Sequence, residues 1–217
     1  MKQSERWSLP GGFIRLDRDV DEEAAHILHT RTGLDNIFLK QFHLFGKQNR
    51  SNTSHIEPLI EQNVLPASSF QWFDQRFATI GYYALVEYAS VTQPIADTTS
   101  DCIAWCPLPD IPSLILDHHQ IIEHARVALK EELNFRPVGR NLLPDEFTMP
   151  ELQSLYETIL ETSLDRRNFR RKILSLGILK DTGKKRLGAA NKAPSLYTFD
   201  EVKYAEAVEK GFKSGFL

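Results

Sequence analysis

Leu164-Asp165-Arg166-Arg167-Asn168-Phe169-Arg170-Arg171-Lys172-Ile173-Leu174-Ser175-Leu176-Gly177 puts five cations into seven positions yet keeps Phe169, Ile173 and Leu176 at helical spacing. Asp165 to Leu176 is therefore predicted as a helix with those three side chains inward and Gly177 as its stop. On a helical wheel Arg167 and Arg171 point away from the core, Asn168 and Arg170 lie on the shoulders, and Arg166 sits nearer the core edge.

Working upstream, Thr148-x-x-Glu151 matches a capping box, and Leu152, Leu155, Tyr156, Ile159 and Leu160 form an apolar stripe. A second helix is predicted there, with Glu161–Leu164 as a short turn between the two. Downstream, Ile178-Leu179-Lys180 and Leu196-Tyr197-Thr198-Phe199 read as short strands. They flank a basic loop, Asp181 to Pro194, that contains Gly183-Lys184-Lys185-Arg186. Helix, turn, helix, hairpin is the order of a winged helix-turn-helix. The net charge of −3 over 217 residues conceals ten basic against two acidic side chains between Asp165 and Lys192. A basic run is often only a solvated helix face. Concentrated on one module, it is the footprint of phosphate-backbone binding.

The first 135 residues carry a net charge of −7 and a different pattern. Trp7 to Arg15 reads as a turn entering a strand centred on Leu9-Pro10-Gly11-Gly12-Phe13-Ile14. Val20 to Thr32 has helical spacing, with Val20, Ala24, Ile27, Leu28 and Arg31 along one side and Gly33 as its stop. Strands are predicted over Asn36–Phe45, Arg76–Tyr88 and Asp101–Leu108. Gly46 to Ser69 reads as a long loop with a helical patch at His55–Gln62. Asp117 is placed to cap a helix reaching about Leu133, whose stripe is Ile121, Ile122, Ala125, Leu129 and Leu133. The Pro- and Gly-bearing stretch Asn134–Pro144 sets an expected boundary between domains 1–136 and 137–217. No run approaches eighteen apolar residues, and no secretory signal is visible. Cys102 and Cys106, placed in a strand, would stand about 13 Å apart, too far for a disulfide. A cytoplasmic protein is expected.

Leu9-Pro10-Gly11-Gly12-Phe13, Glu22-Glu23-Ala24-Ala25 and Thr32-Gly33-Leu34 together resemble a Nudix box. Trp105 with Leu108-Pro109-x-Ile111-Pro112, Leu116-Asp117-His118, Leu142-Leu143-Pro144-x-x-Phe147-Thr148 and Leu152-Gln153-x-Leu155-Tyr156-Glu157 add to that box and to the Asp-Arg-Arg-Asn-Phe-Arg-Arg helix. From Trp7 to Phe199 the chain resembles the NrtR-type, Nudix-related transcriptional regulators, which include sugar-responsive members in Bacteroidetes. The resemblance implies an α/β (α+β) chain: a Nudix-like α/β/α sandwich with a mixed sheet, then a winged helix. It also implies strand ahead of Leu9. Only eight residues precede it, so the first strands are expected to be missing from the sheet.

Nudix hydrolases hold Mg²⁺ on glutamates of one helix face, because a hard cation wants carboxylate oxygens. The resemblance puts Arg18, Ile27, Thr30 and Arg31 at those positions, and His26 where an arginine would steady them. Two replacements are cationic and repel the ion. Glu22 and Glu23 lie a turn too early and read as a solvated helix start, and Phe13 and Leu28 as packing the helix on the sheet. Of the seven histidines, His26, His29, His43, His118, His119 and His124 form no metal pattern. No catalytic residue, metal or cofactor is expected, though a Mg²⁺-dependent hydrolase of ADP-ribose is the rival. A small-molecule effector, a pentose or ADP-ribose, is expected beside Gly11, Gly12 and Arg15, with Phe45, Arg50 and Arg76 as further contacts. The other expected partners are double-stranded operator DNA and a second copy of the chain. Arg167 and Arg171 are expected to face bases, with Asn168 able to read adenine. Arg166, Arg170, Lys172, Lys184, Lys185, Arg186 and Lys192 are assigned to phosphates.

Overall fold

The computed structural model describes residues 7–35, 37–48, 50, 56–63, 65–86, 103–140, 142–186 and 193–211. They divide into two compact units. The first holds the described residues up to Leu85 together with those up to Ala125, and the second holds those from Arg126 onward. Lys192 and Cys102 lie outside the described residues.

In the first unit, α1 spans Val20–Thr32 and stops as expected. Gly33 takes φ 70°, and its N–H donates to the His29 carbonyl at 2.7 Å. A side chain would be strained in that left-handed conformation. Strands β1, Leu39–Phe45, and β2, Thr79–Ala84, pair antiparallel with a register shift between Gln41 and His43. Gly81 of β2 lets the Phe42 and Phe45 rings close over it, since a Cβ there would meet Phe42 at 2.6 Å. Two short helices follow β1: α2, Glu57–Glu61, within the predicted patch, and α3, Ser69–Phe73, which begins where the expected loop ends. Helix α4 runs His118–Phe135, close to its predicted extent; its residues from Arg126 on belong to the second unit. Ile121 and Leu133 are its buried positions within the predicted stripe, and Ile122, Ala125 and Leu129 are half-buried.

Two predicted strands are absent. Leu9–Ile14 joins no ladder, and only Trp7 makes a parallel bridge, to Leu114. Pro10 has no N–H to give, and the Leu9 N–H is spent on His118 Nδ1 at 3.0 Å. Ile103–Pro107 is likewise irregular and leads into a 3-10 turn at Leu108–Asp110. The prolines at 107, 109 and 112 withhold the donors a ladder needs. The distance inferred for the two cysteines therefore loses its strand premise; Cys106 itself is an exposed free thiol. The strand predicted from Arg76 starts later, at Thr79.

The second unit is built as predicted and then extended. A two-residue strand, β3 at Phe147–Thr148, leads into α5, Met149–Leu160. Helix α6 is Arg166–Ser175, strand β4 is Leu179–Lys185, and β5 is Ser195–Phe199. The sheet order is β3-β5-β4, all antiparallel. β4 runs into the expected loop: Asp181 pairs with Tyr197 and Lys185 with Ser195, with an irregularity between them. A last helix, α7, spans Glu201–Lys210. The core joins Leu152, Tyr156 and Leu160 of α5, Phe169 and Ile173 of α6, and Tyr197 and Phe199 of β5 around Leu133 and Phe147.

Candidate nucleic-acid interface and effector domain

Helix α6 is positioned from both ends. Thr148 caps α5 by accepting the Glu151 N–H, and the Glu151 carboxylate accepts the Thr148 N–H at 2.7 Å, which closes the predicted capping box. Burial alone would raise the Glu151 carboxyl. Hydrogen bonds from Arg186 and Thr148 outweigh it and hold the group below its ordinary value. At the far end, Gln153 Nε2 donates to the Leu164 carbonyl at 2.9 Å and to Glu157 at 2.9 Å. The Leu164 N–H then donates to Glu157 at 2.8 Å. This closed network is the reason for the Gln153, Glu157 and Leu164 spacing, because it fixes the turn into α6. Glu161 ends α5 at φ 55°, where its carboxylate accepts from Arg126 and from Lys130 Nζ at 2.6 Å. Asp165 caps α6 by accepting the Asn168 N–H at 2.9 Å.

With Phe169 and Ile173 buried, α6 leaves Arg166, Arg167, Asn168, Arg170 and Arg171 exposed and Lys172 half-buried. Arg166 and Arg167 have no hydrogen-bond or ion-pair partner among the described residues. Arg171 Nη2 donates to Asn168 Oδ1 at 3.0 Å. Arg170 turns inward instead: its Nη2 reaches the Tyr197 hydroxyl at 3.0 Å and its guanidinium lies 5.9 Å from that ring. Of the wing cations, Lys184 pairs with Glu146 at 2.6 Å, and Arg186 is bound to Glu151. Lys185 is exposed and has no partner among the described residues.

Of the positions where the resemblance expects Nudix carboxylates, Ile27 and Arg31 meet the Gly11–Gly12 loop. A Cβ on Gly12 would meet Ile27 Cδ1 at 2.8 Å, so the loop lies directly on α1. Arg31 Nη2 donates to the Gly11 carbonyl at 3.4 Å, and Thr30 Oγ1 donates to the His26 carbonyl. Glu23 departs from expectation, being buried at 4% exposure and bound to Arg15 at 3.0 Å. An arginine close enough to neutralise it is what makes that burial tolerable. No group of three or more His, Cys, Asp or Glu side chains among the described residues is placed to hold a metal ion.

The expected effector contacts fall into two groups. Gly11, Gly12 and Arg15 belong to the loop on α1. Phe45 is buried and stacks against His43 and His124, with the Arg50 guanidinium 6.0 Å from its ring. Arg50 is committed to Asp117, and Arg76 Nη2 donates to the carbonyl of Gly46, next to Phe45. An aromatic cluster adjoins the first group. Phe13 is not a packing residue under α1: it is 54% exposed and meets Trp72 edge-on, centroids 4.5 Å apart, with Phe77 at 5.7 Å. Trp72 stacks on Phe77 at 4.9 Å. Trp72 and Phe73 come from α3, just beyond the stretch read as a long loop. Their signal was the aromatic density of Phe70-x-Trp72-Phe73-x-x-x-Phe77.

Residues 139–199 match the NrtR DNA-binding winged helix domain. Over 201 residues the chain is 29% identical to the ADPR responsive transcriptional repressor NtrR of Acinetobacter baylyi, covering 91% of this chain and 71% of the relative. The crystal structure of Shewanella oneidensis NrtR superposes with a TM-score of 0.70 at 26% identity, over 97% of this chain and 85% of that one. The same regulator in complex with a 27mer DNA gives the same TM-score and coverage at 24% identity. A MutT/nudix family protein from Enterococcus faecalis shares the fold at a TM-score of 0.60 and 16% identity, over 90% and 74% of the two chains.

Proposed function

With residues 139–199 an NrtR-type winged helix and the chain NrtR-like throughout, we propose that this protein is a transcriptional repressor that ADP-ribose releases from operator DNA. The observation that carries it is α6: a helix anchored by Phe169 and Ile173, capped by Asp165, and presenting Arg166, Arg167 and Arg171 to solvent. A helix so placed enters a major groove, where base edges carry a unique pattern of donors and acceptors. Lys185 on the wing supplies a phosphate contact, which orients the protein without reading sequence.

ADP-ribose is favoured over a free pentose by the aromatic cluster beside Gly11 and Gly12. A pentose has no flat π-face, whereas adenine stacks well on one. Arg15 and Arg76 flank that cluster in sequence and supply cations for a diphosphate. The test is fluorescence anisotropy with a duplex enriched by the protein from a randomised library. ADP-ribose is expected to release it, and Trp72→Ala to require about tenfold more of the nucleotide, the lower range for losing one stacked base. Release by ribose or arabinose but not by ADP-ribose would overturn the effector assignment.

Hydrolysis is not expected. Ile27 and Thr30 offer Mg²⁺ no carboxylate, and Arg31 opposes it electrostatically. With millimolar Mg²⁺, turnover of ADP-ribose should stay below about 0.1 per second, under the usual enzyme range. Faster turnover that Glu23→Gln abolishes would restore the hydrolase reading.

The protein is further proposed to act as a homodimer. One winged helix reads a short half-site, and two-fold operators are matched by two-fold proteins. Light scattering at micromolar concentration should give twice the chain mass of 24.9 kDa. A monomer that stays monomeric on a selected duplex would refute it.

A further inference from the structure

We propose that Asn168 does not read a base of its own but orients Arg171, so that the pair recognises one guanine rather than an adenine and a guanine. The inference rests on the DNA-binding reading above. Residues 168 and 171 are three apart on α6 and share a face. Two polar groups of Asn168 are already engaged, the backbone N–H and the side-chain oxygen. Its N–H donates to Asp165, the cap of the helix, at 2.9 Å. Its Oδ1 accepts from Arg171 Nη2 at 3.0 Å. An asparagine that reads adenine must offer both halves of its amide, Oδ1 to the N6 amino group and Nδ2 to N7. With Oδ1 facing the guanidinium, that pairing is broken.

Arg171 loses little in exchange. A guanidinium carries five N–H donors, and one spent on Asn168 leaves enough for the two-pronged contact with O6 and N7 of guanine. What Arg171 gains is a fixed orientation before DNA arrives. An exposed arginine otherwise samples many rotamers and must give them up on binding. The chain Asp165 to Asn168 to Arg171 thus ties a base-reading side chain to the first turn of its helix. Arg167, four residues before Arg171, has no such brace among the described residues.

The test uses the full-length protein and a library of duplexes randomised over their central segment. Wild type, Asn168→Ala, Arg171→Ala and the double variant are each taken through selection and sequencing, with affinities measured on wild-type consensus duplexes bearing single base-pair changes. Asn168→Ala is expected to blunt discrimination at the same base pair as Arg171→Ala, by about 2- to 10-fold, the worth of one hydrogen bond. The double variant should discriminate no worse than Arg171→Ala alone. Asn168→Asp keeps the acceptor, so it should retain the preference at that base pair while binding all DNA more weakly. The inference is overturned if Asn168→Ala erases preference at a different base pair, or if the two losses add. Failure of the wild-type protein to enrich any sequence overturns this inference and the DNA-binding reading together.

Discussion

Arg50→Ala is expected to destabilise the protein by about 3–5 kcal/mol, the cost of leaving a buried ionic partner alone. The guanidinium is 6% exposed and the Asp117 carboxylate 14%. They meet in a two-pronged contact, Nε to Oδ2 at 2.6 Å and Nη2 to Oδ1 at 3.0 Å, while Nη1 donates to Thr79 Oγ1. Planar geometry of this kind is what Arg provides and Lys does not. Truncation strands Asp117 in surroundings too dry to solvate it. Urea titration of the near-ultraviolet signal measures the loss. The companion Arg50→Met with Asp117→Leu removes both charges at once and should recover most of the stability, since an apolar pair of similar volume replaces a buried salt bridge at little net cost. A single variant within about 0.5 kcal/mol of wild type, the range of ordinary surface changes, would mean the pair is solvated.

Arg50 also marks where sequence stops informing. As a lone cation in a polar stretch it reads equally well as a ligand contact or a buried ion-pair partner. The residue that decides, Asp117, lies 67 positions away. Local signals did far better. The α1 stop at Gly33, the Thr148 capping box and the α6 stripe each depend on residues within a turn or two of one another, and each appears as predicted. Glu23 was misread because burial of a carboxylate depends on Arg15 folding back onto it. The failed strands at Leu9–Ile14 and Ile103–Pro107 had β-compatible side chains and the wrong backbone: prolines remove the ladder donors whatever the neighbours prefer. Helix α7 had ample signal, with Asp200 capping through the Lys203 N–H, but a helix-turn-helix followed by a hairpin is complete without it.

The interface shows the same division. Which face of α6 is outward followed from Phe169 and Ile173 alone. What each outward cation does was not legible, because their partners are remote. Arg170 belongs to Tyr197, Arg186 to the Glu151 of the capping box, and Lys184 to Glu146. Ten basic side chains in one segment therefore do not amount to ten phosphate contacts. Arg170 holds the sheet to α6 and Arg186 holds it to α5, so their substitution acts on DNA through the shape of the domain.

Arg167→Ala should lose roughly 1–3 kcal/mol on the selected duplex, about 5- to 150-fold in affinity, while binding to scrambled DNA changes little. Arg167 is exposed, sits in the first turn of α6 and has no partner to release among the described residues. Its removal therefore subtracts a base contact without disturbing the fold. Lys185→Ala is the control that separates reading from holding. It is expected to weaken selected and scrambled duplexes alike and to lower the slope of log affinity against log salt by about one unit. Anisotropy titrations of both duplexes at several salt concentrations yield both quantities. The opposite pattern, with Arg167→Ala changing the salt slope and Lys185→Ala changing only the preferred sequence, would exchange the roles of helix and wing. If both variants bind within twofold of wild type on either duplex, α6 is not the surface that meets DNA. The exposed cations along it would then be the solvated helix face that a basic run most often is.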